Sequence, residues 1–250
     1  LSAVHVEHGI RGQASLDDME YVKAQCDRLG IPLHTARVDA VKASEESGTT
    51  LEEAARNERY RIFGGIKADK IALAHHKNDQ AETVLFRLLR GTGPHGLAGI
   101  PAVRASEAGY SIVRPLLGIE RRDIEAYIRE NKLKPNIDRS NGDNKYTRNR
   151  IRNELIPYLE KNFNPKIKEN LRRYAELASM DDAVIREFAI ADYIGNITID
   201  SDKEEAVLNI QDLKNNPVPV NSRIVGLIFD LLKLESCATY ENISDRKSVV

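Results

Sequence analysis

The sequence predicts an α/β fold with a doubly wound parallel sheet, followed by a mainly α-helical domain. Strand and helix signals alternate through the first half of the 250 residues, which is typical of βα units in a parallel sheet. The segment 70–76 is short and largely apolar, as expected of a strand that is buried on both faces. Helical patterning dominates from Tyr158 onward. We therefore place a domain boundary near Pro157, between residues 1–157 and residues 158–250.

Each element of the first half has a local signal. Thr50 with Glu53 predicts a capping box at the start of one helix, and Ser15 with Asp18 predicts a similar start for an earlier helix. Glycines follow at the expected helix ends. The predicted strands cover 1–6, 31–38, 70–76 and 111–117. The predicted helices cover 15–29, 50–63, 79–90 and 120–132.

The composition is that of an ordinary globular protein. Hydrophobic residues make up 41% and charged residues 30%, which excludes collagen-like, disulfide-stapled and intrinsically disordered chains. The longest apolar run, around 224–229, is far shorter than the roughly 18 residues that a membrane span needs. Cys26 and Cys237 form no CxxC pair, so we predict no metal cluster and no dithiol site. With only these two unpaired cysteines, we expect a protein of the reducing cytoplasm.

The formal net charge of -1 is the sum of two opposite blocks. Residues 145–173 carry a net charge of +6, and residues 181–215 carry a net charge of -6. The total argues against a strongly basic nucleic-acid-binding protein. The basic block could nevertheless contact a polyanion, or both blocks could be solvated helix surfaces.

A glycine-rich segment, GTGPHG at 91–96, matches the pattern G-x-G-x-x-G. It follows a predicted helix and contains Pro94, whereas a dinucleotide fingerprint follows a strand and opens a helix. We reject that function for the segment. A flexible connector and a loop that lines a nucleotide or tRNA groove both remain as interpretations.

Asp79 and Glu82 lie three residues apart, so a helix places both carboxylates on one face. They form either a functional pair or a simple capping box with Asp79 as the N-cap. His75 and His76 come just before them, at the carboxyl end of a predicted strand, where open α/β sheets bind ligands. Adjacent histidines diverge and no HExxH pattern is present, so a metal site is not predicted there.

Five ordered segments together resemble the tRNA(Ile)-lysidine synthetases, which belong to the N-type ATP pyrophosphatases. The resemblance covers roughly Val4 to Pro165 and implies a Rossmann-like sheet. The segments are HVEHGIRGQASLDD from His5, EEAARNERY from Glu52, HHKNDQAETVLFRLLRGTG from His75, RPLL from Arg114, and D.SN.D..Y.RNRIR.ELIPYL from Asp138.

The resemblance implies an ATP-dependent ligase that modifies tRNA. In this family, ATP adenylates the C2 carbonyl oxygen of the wobble cytidine in an isoleucine tRNA with a CAU anticodon. The ε-amine of free L-lysine then displaces AMP to form lysidine. The implied partners are this tRNA, free lysine and ATP, with a homodimer as one candidate assembly. Mg²⁺ is expected together with ATP, although we can name no ligands for it.

The family's roles can be carried over to matching residues. Asp79 and Glu82 are expected to orient the lysine amine and to help remove its proton. Arg56 and Arg148 are expected to stabilise negative charge on phosphate and on the intermediate. The expected substrate-binding residues are His76, Arg150 and Arg152, and the expected ATP-binding residues are His5, His8 and Arg11.

The sequence also departs from the family pattern. Asn78 replaces the first carboxylate of the DDQ triplet, and Glu7 replaces the asparagine of HVNHG. The SGGxDS loop that cradles ATP phosphates at a helix N-terminus has no counterpart. We therefore expect a fragment that lacks its first strand and this loop, ends before further substrate-binding structure, and has neither ATP-dependent activity nor good stability alone.

Two alternative functions remain. The chain could be a non-catalytic, tRNA-binding remnant of the same family. It could instead be a PP-loop tRNA thiolase, but that chemistry generally needs a sulfur-carrying cysteine near the pocket, and neither Cys26 nor Cys237 shows such an arrangement.

Overall fold

A computed structural model describes residues 1–136, 142, 144, 147–193, 198–200, 205–208, 214 and 216–232. Lys145 and Tyr146, at the start of the basic block, lie outside these residues, as do most of 137–146 and the end of the chain from 233 to 250. The elements, in chain order, are β1 (Ala3–Glu7), α1 (Gln13–Leu29), β2 (Leu33–Arg37), α2 (Ala40–Ser47), α3 (Leu51–Gly64), β3 (Lys70–Ala72), α4 (Lys77–Leu89), α5 (Pro94–Leu97), β4 (Val103–Ala105), β5 (Ser111–Val113), α6 (Arg121–Glu130), α7 (Thr147–Arg150), a π-helical turn (Ile151–Leu155), α8 (Ile156–Asn162), α9 (Ile167–Tyr193), β6 (Thr198–Asp200), β7 (Glu205–Val207) and α10 (Val218–Leu231).

The chain divides into two compact units. The first comprises residues 1–76 and 101–143, and the second comprises residues 77–100 and 144–250. This division differs from the predicted domains because α4 and α5 pack against the later helix α9. The predicted domains, 1–157 and 158–250, stay a prediction about functional modules.

The first unit contains the predicted parallel strands. β1 pairs with β2 in parallel, and β3 pairs with β5 in parallel. The sequence predicted one sheet, but among the described strands β1 is hydrogen-bonded only to β2, and β3 only to β5. Val4 and Val6 of β1 instead pack their side chains against a buried cluster of Phe63, Tyr110 and two isoleucines. Side-chain packing therefore joins β1 to the core without backbone pairing to β3.

One antiparallel strand, β4, was not predicted. It pairs with β5 in the register Arg104 to Ile112. The connection closes with a hydrogen bond from the Gly109 N–H to the Ser106 carbonyl, at 3.1 Å. Gly109 has φ +85°, a backbone conformation that other residues adopt only with strain.

The helix starts test the capping predictions. The Thr50 hydroxyl accepts a hydrogen bond from the Glu53 N–H at 3.3 Å, so the predicted N-cap of α3 is confirmed. The prediction at Ser15 is wrong, because α1 begins at Gln13 with Gly12 as its N-cap. Ser15 is instead buried within the first turn.

The described residues of the second unit are mainly helical. Ala81 and Leu85 of α4 form a buried cluster with Ile151 and Ile156. Near the other end of α9, Ala189 packs against Ile224 and Ile228 of α10. The short strands β6 and β7, which were not predicted, pair in antiparallel orientation. No helix in the described part of the chain is long and apolar enough to cross a bilayer.

An ion-pair network links the start of α4 to α9. Lys77 pairs with one carboxylate oxygen of Glu169. The Nη2 atom of Arg172 donates to the other oxygen of Glu169 at 2.8 Å. The Nη1 atom of Arg172 donates to Glu176 at 3.0 Å. The hydrogen bonds from Arg172 and then from Lys77 lower the pKa of Glu169 to about 2. The charged form of Glu169 therefore stabilises this helix contact.

Replacing Glu169 with glutamine should destabilise the protein in a pH-dependent way. A carboxyl whose pKa is lowered on folding adds stability above its unfolded pKa of about 4.3, and this is lost as the pH falls towards 2. Because the side chain is 41% exposed, we expect a loss of only roughly 1 kcal/mol at pH 7. Urea unfolding at pH 7, 4 and 2 checks this. A loss that is the same at all three pH values would contradict it.

Candidate functional site

Asp79 and Glu82 lie on one face of α4, as the three-residue spacing predicted. The helix begins at Lys77, so Asp79 lies inside its first turn and is not the N-cap residue. The capping-box interpretation is therefore wrong. Glu82 is only 1% exposed. A buried carboxylate is costly unless it is paired with a cation and hydrogen-bonded.

Arg152 supplies the cation for this carboxylate pair. Its Nε and Nη2 donate to the two carboxylate oxygens of Glu82, at 2.7 and 2.8 Å. Nη2 also donates to Oδ1 of Asp79 at 3.4 Å. The hydrogen bonds to Glu82 raise the pKa of Arg152 against the effect of desolvation. We call Asp79, Glu82 and Arg152 the ion-pair cluster; it carries one net negative charge.

A π-helical turn positions Arg152. It spans Ile151–Leu155 and directly continues α7. Ile151 is buried against Ala81 and Leu85 of α4, which anchors the turn on that helix. Single π-helical turns within α-helices occur frequently at functional sites.

The three alternate arginines of the predicted basic segment have different surroundings. Arg148 Nη2 donates to the Thr83 hydroxyl on α4 at 2.9 Å, so it lies along the same helix as the ion-pair cluster. Arg150 is 64% exposed, with Nε 3.8 Å from a carboxylate oxygen of Glu154. It lines a surface groove with Leu89. Arg148 and Arg152 therefore contact side chains of α4, whereas Arg150 lies at the surface.

The glycine-rich segment at 91–100 is held to α4 by side chains that sequence reasoning missed. Gln80 accepts a hydrogen bond from the Ile100 N–H at 2.6 Å and donates to the Ile100 carbonyl at 3.3 Å. Arg87 Nη1 donates to the carbonyls of Gly96 and Gly99, each at 2.8 Å. A Cβ at Gly99 would lie 2.7 Å from the Gln80 side chain. These contacts hold the end of the glycine-rich segment against α4, and its two interpretations, a flexible connector and a groove-lining loop, stay predictions.

Replacing Gln80 with alanine should cost about 1–3 kcal/mol of stability, because the Ile100 N–H would lose its partner in a buried position. Thermal and urea unfolding measure the loss. Gln25→Ala, at a partly exposed position of α1 where the side chain accepts a hydrogen bond only from the exposed Arg28, is the control and should change stability by less than about 0.5 kcal/mol. Equal losses of stability for the two variants would show that the hydrogen bonds between Gln80 and Ile100 do not stabilise the protein.

The other predicted residues lie in the first unit. His8 is half-buried, with Nε2 3.4 Å from Nη2 of Arg59. Burial and then the Arg59 charge lower the pKa of His8 below its ordinary value, which favours the neutral ring. Arg11 pairs with Asp18. His5 lies within β1, and His76 is the last residue before α4.

Glu7, a departure from the family pattern, has a structural role here. It is 3% exposed. Its carboxylate accepts a hydrogen bond from the Gly9 N–H at 2.7 Å. The same carboxylate forms an ion pair with Arg37, at 2.8 Å from Nε. Glu7 thus ties the end of β1 to β2 and supports the turn at Gly9, whose φ is +71°.

Arg56 of α3 lies against an aromatic ring. Its Cζ is 5.3 Å from the centroid of the Tyr60 ring, one helical turn later. Tyr60, Arg104 and Arg114 also meet in this part of the first unit, and none of these three was predicted as a site residue. Only Arg114 has a signal in the sequence, because a charged residue directly follows the apolar strand SIV.

The carboxylates do not fit a Mg²⁺ site as arranged here. Among the residues that the structure describes, no group of three or more His, Cys, Asp or Glu side chains could hold a metal ion. Asp79 and Glu82 both face the guanidinium of Arg152, which a metal ion would have to displace.

Comparison with known proteins adds family information. A family model described as a PP-loop domain matches residues 1–159, and the match ends close to the predicted boundary at 157. A tRNA(Ile)-lysidine synthase of Clostridium acetobutylicum is 41% identical over 229 residues, covering 90% of this chain and 48% of the relative. That of Geobacillus kaustophilus is 37% identical over 236 residues, covering 93% and 50%. The predicted resemblance is confirmed. The chain spans about half the length of these curated relatives.

A solved structure supports the fold class. The U34-tRNA thiolase NcsA from Methanococcus maripaludis, with its [4Fe-4S] cluster, aligns with a TM-score of 0.57 at 19% sequence identity. The alignment covers 72% of this chain and 62% of that one. At this identity the likeness shows the fold alone. It confirms the predicted Rossmann-like α/β class.

Proposed function

Because this chain belongs to the PP-loop domain family, we propose that it is part of an ATP-dependent ligase. The ligase joins lysine to C2 of the wobble cytidine in an isoleucine tRNA with a CAU anticodon, through an adenylated tRNA intermediate. The similarity to proteins named tRNA(Ile)-lysidine synthase supports this substrate choice. The single observation in the structure that carries the proposal is the ion-pair cluster on α4.

The reaction makes two chemical demands. A carbonyl carbon of amide type reacts slowly with amines until its oxygen becomes a leaving group, and ATP as substrate supplies the adenylyl group that does this. The lysine ε-ammonium must lose a proton before its nitrogen can attack C2. The second demand requires a carboxylate close to the amine.

The ion-pair cluster suits an ammonium ion. Asp79, Glu82 and Arg152 together carry one net negative charge, so one added cation would neutralise them. Arg152 holds Glu82 through two short hydrogen bonds but contacts Asp79 more weakly, at 3.4 Å. We assign the orientation of the amine to both carboxylates and acceptance of its proton to Asp79. Arg152 then acts as a positioning residue for Glu82.

The remaining residues would bind phosphate and substrate. Arg148, hydrogen-bonded to Thr83 on α4, would stabilise negative charge on the departing AMP. Arg56 would stabilise negative charge on a phosphate group. The proposed substrate contacts are His76 and Arg150. The proposed ATP contacts are His5, His8 and Arg11, with Mg²⁺ accompanying ATP. The lowered pKa of His8 suits a neutral ring that accepts or donates a single hydrogen bond.

The complete gene product provides the test. Labelled lysine should enter a CAU-anticodon tRNA only when ATP is present, with AMP and pyrophosphate as products. Lysine incorporation without ATP would refute the proposal. Tight tRNA binding with no incorporation would favour the non-catalytic remnant instead.

Thiolation is a weaker candidate. The fold likeness to a U34-tRNA thiolase carries no information on chemistry at 19% identity. Cys26 is buried in α1 at 6% exposure, where it cannot carry sulfur to a tRNA base. Cys237 lies outside the described residues.

A further inference from the structure

Two exposed arginines of the first unit contact the ring of Tyr60. The Cζ atoms of Arg56 and Arg104 each lie 5.3 Å from the ring centroid, within the range of cation–π attraction. The two come from different elements. Arg56 is one helical turn before Tyr60 on α3, and Arg104 lies on β4. The arrangement therefore depends on how α3 packs over the sheet.

The third arginine, Arg114, follows directly after β5. Arg104 is paired with Ile112, and side chains two residues apart share a sheet face. Arg104 and Arg114 therefore lie on the same face. Arg114 also interacts with Tyr60, which opposes the lowering of the Arg114 pKa by burial.

Arg114 carries unsatisfied hydrogen-bonding capacity in a buried position. It is 7% exposed. One terminal nitrogen donates to the Pro101 carbonyl at 2.6 Å, but its buried Nε has no hydrogen-bond partner. Buried donors of this kind are rare in native proteins and call for an explanation.

The positive charge of this cluster is not balanced by acids. Burial lowers the pKa of Arg114, and the charges of Arg104 and Arg56 act in the same direction, against the effect of Tyr60. Among the described residues, no carboxylate forms an ion pair with Arg56, Arg104 or Arg114. A bound anion would relieve this repulsion and could accept a hydrogen bond from the orphan Nε.

We infer that Arg56, Arg104 and Arg114, arranged around Tyr60, form a binding site for a phosphate group. Planar guanidinium forks match phosphate oxygens in geometry as well as in charge. The phosphate belongs either to ATP or pyrophosphate, or to the backbone of an RNA. The inference shares Arg56 with the proposed function, but its test measures binding and not lysine incorporation. The two proposals can therefore fail separately.

The test compares three variants of the complete gene product by calorimetric titration at low salt. Arg104→Gln removes an exposed charge and should weaken pyrophosphate or RNA binding by about tenfold, the loss of one charge-assisted hydrogen-bonding group. Arg114→Lys keeps the buried charge but removes the Nε donor, and it should weaken pyrophosphate or RNA binding by a similar factor. Arg129→Gln, an exposed charge change on α6, is the control and should alter binding less than about twofold. Circular dichroism melts confirm that each variant is folded.

The source of the phosphate follows from the titrant. Weaker binding of pyrophosphate and ATP in the two cluster variants would identify a nucleotide phosphate. Weaker binding of a single-stranded RNA oligonucleotide alone would identify the RNA backbone. If neither cluster variant weakens the binding of any titrant more than Arg129→Gln does, the arginines have only a structural role and the inference is wrong.

Discussion

Replacing Asp79 with asparagine in the complete gene product is expected to reduce lysine incorporation by about 10²-fold or more, the usual contribution of a positioned general base. Asparagine keeps the size of the side chain and an oxygen that can accept the 3.4 Å hydrogen bond from Arg152. It cannot take up the proton that the ε-ammonium must lose. Binding of tRNA should stay within twofold of the parent, since Asp79 is proposed to contact only lysine.

Steady-state kinetics in lysine separate the two roles assigned to Asp79. Loss of a proton acceptor lowers kcat, whereas loss of an ammonium contact alone raises KM for lysine at unchanged kcat. Filter binding reports tRNA affinity. Asp27→Asn, on the exposed surface of α1, should behave like the parent in both assays. Unchanged incorporation by Asp79→Asn would leave Asp79 only a partner of Arg152.

Replacing Arg152 with methionine is expected to destabilise the protein by about 3–5 kcal/mol. Removal of one partner from a buried ion pair leaves the other charge uncompensated. Here the remaining charge is Glu82, whose side chain is 2% exposed. Arg152 is itself partly buried, with a side chain that is 25% exposed. Urea unfolding at pH 7 measures the loss.

A matched control and a rescue sharpen this prediction. Arg150→Met changes the same residue type two positions earlier, but at a 64% exposed side chain, so it should cost less than about 1 kcal/mol. The double variant Arg152→Met with Glu82→Leu removes both charges and should recover most of the stability, because apolar side chains of similar volume can replace a buried pair. A double variant as unstable as Arg152→Met would mean that packing and not charge explains the loss.

Local signals predicted the elements of this protein well where the controlling contact is short-range. The N-cap at Thr50 is a hydrogen bond to a residue three positions later, and the spacing of Asp79 and Glu82 places them on one helix face. The prediction at Ser15 failed because a similar pattern occurs inside a helix that had already begun at Gln13. Helix α2 carries an N-cap at Asp39 that was overlooked.

The partners of the site residues could not be predicted from spacing. Arg152 and Glu82 are 70 positions apart in the chain, and three arginines at alternate positions gave no indication of which would be buried. Arg148 and Arg152 are four residues apart and share one helix face, and the packing of Ile151 against α4 brings that face to the helix that carries Glu82 and Thr83. The same holds for Arg104 and Tyr60, which meet only when α3 covers the sheet.

By itself, the sequence determined the α/β alternation, the bounds of α1, α3, α4 and α6 to within two residues, and the family resemblance, because these depend on residue patterns within a few turns or on ordered motifs. The tertiary structure alone decided that Glu82 is buried against Arg152, that Gln80 and Arg87 hold the glycine-rich loop, and that an orphan donor of Arg114 lies beside two other arginines. The physical reason is desolvation. Whether a charge needs a partner depends on its burial, and burial is set by which distant segments pack together.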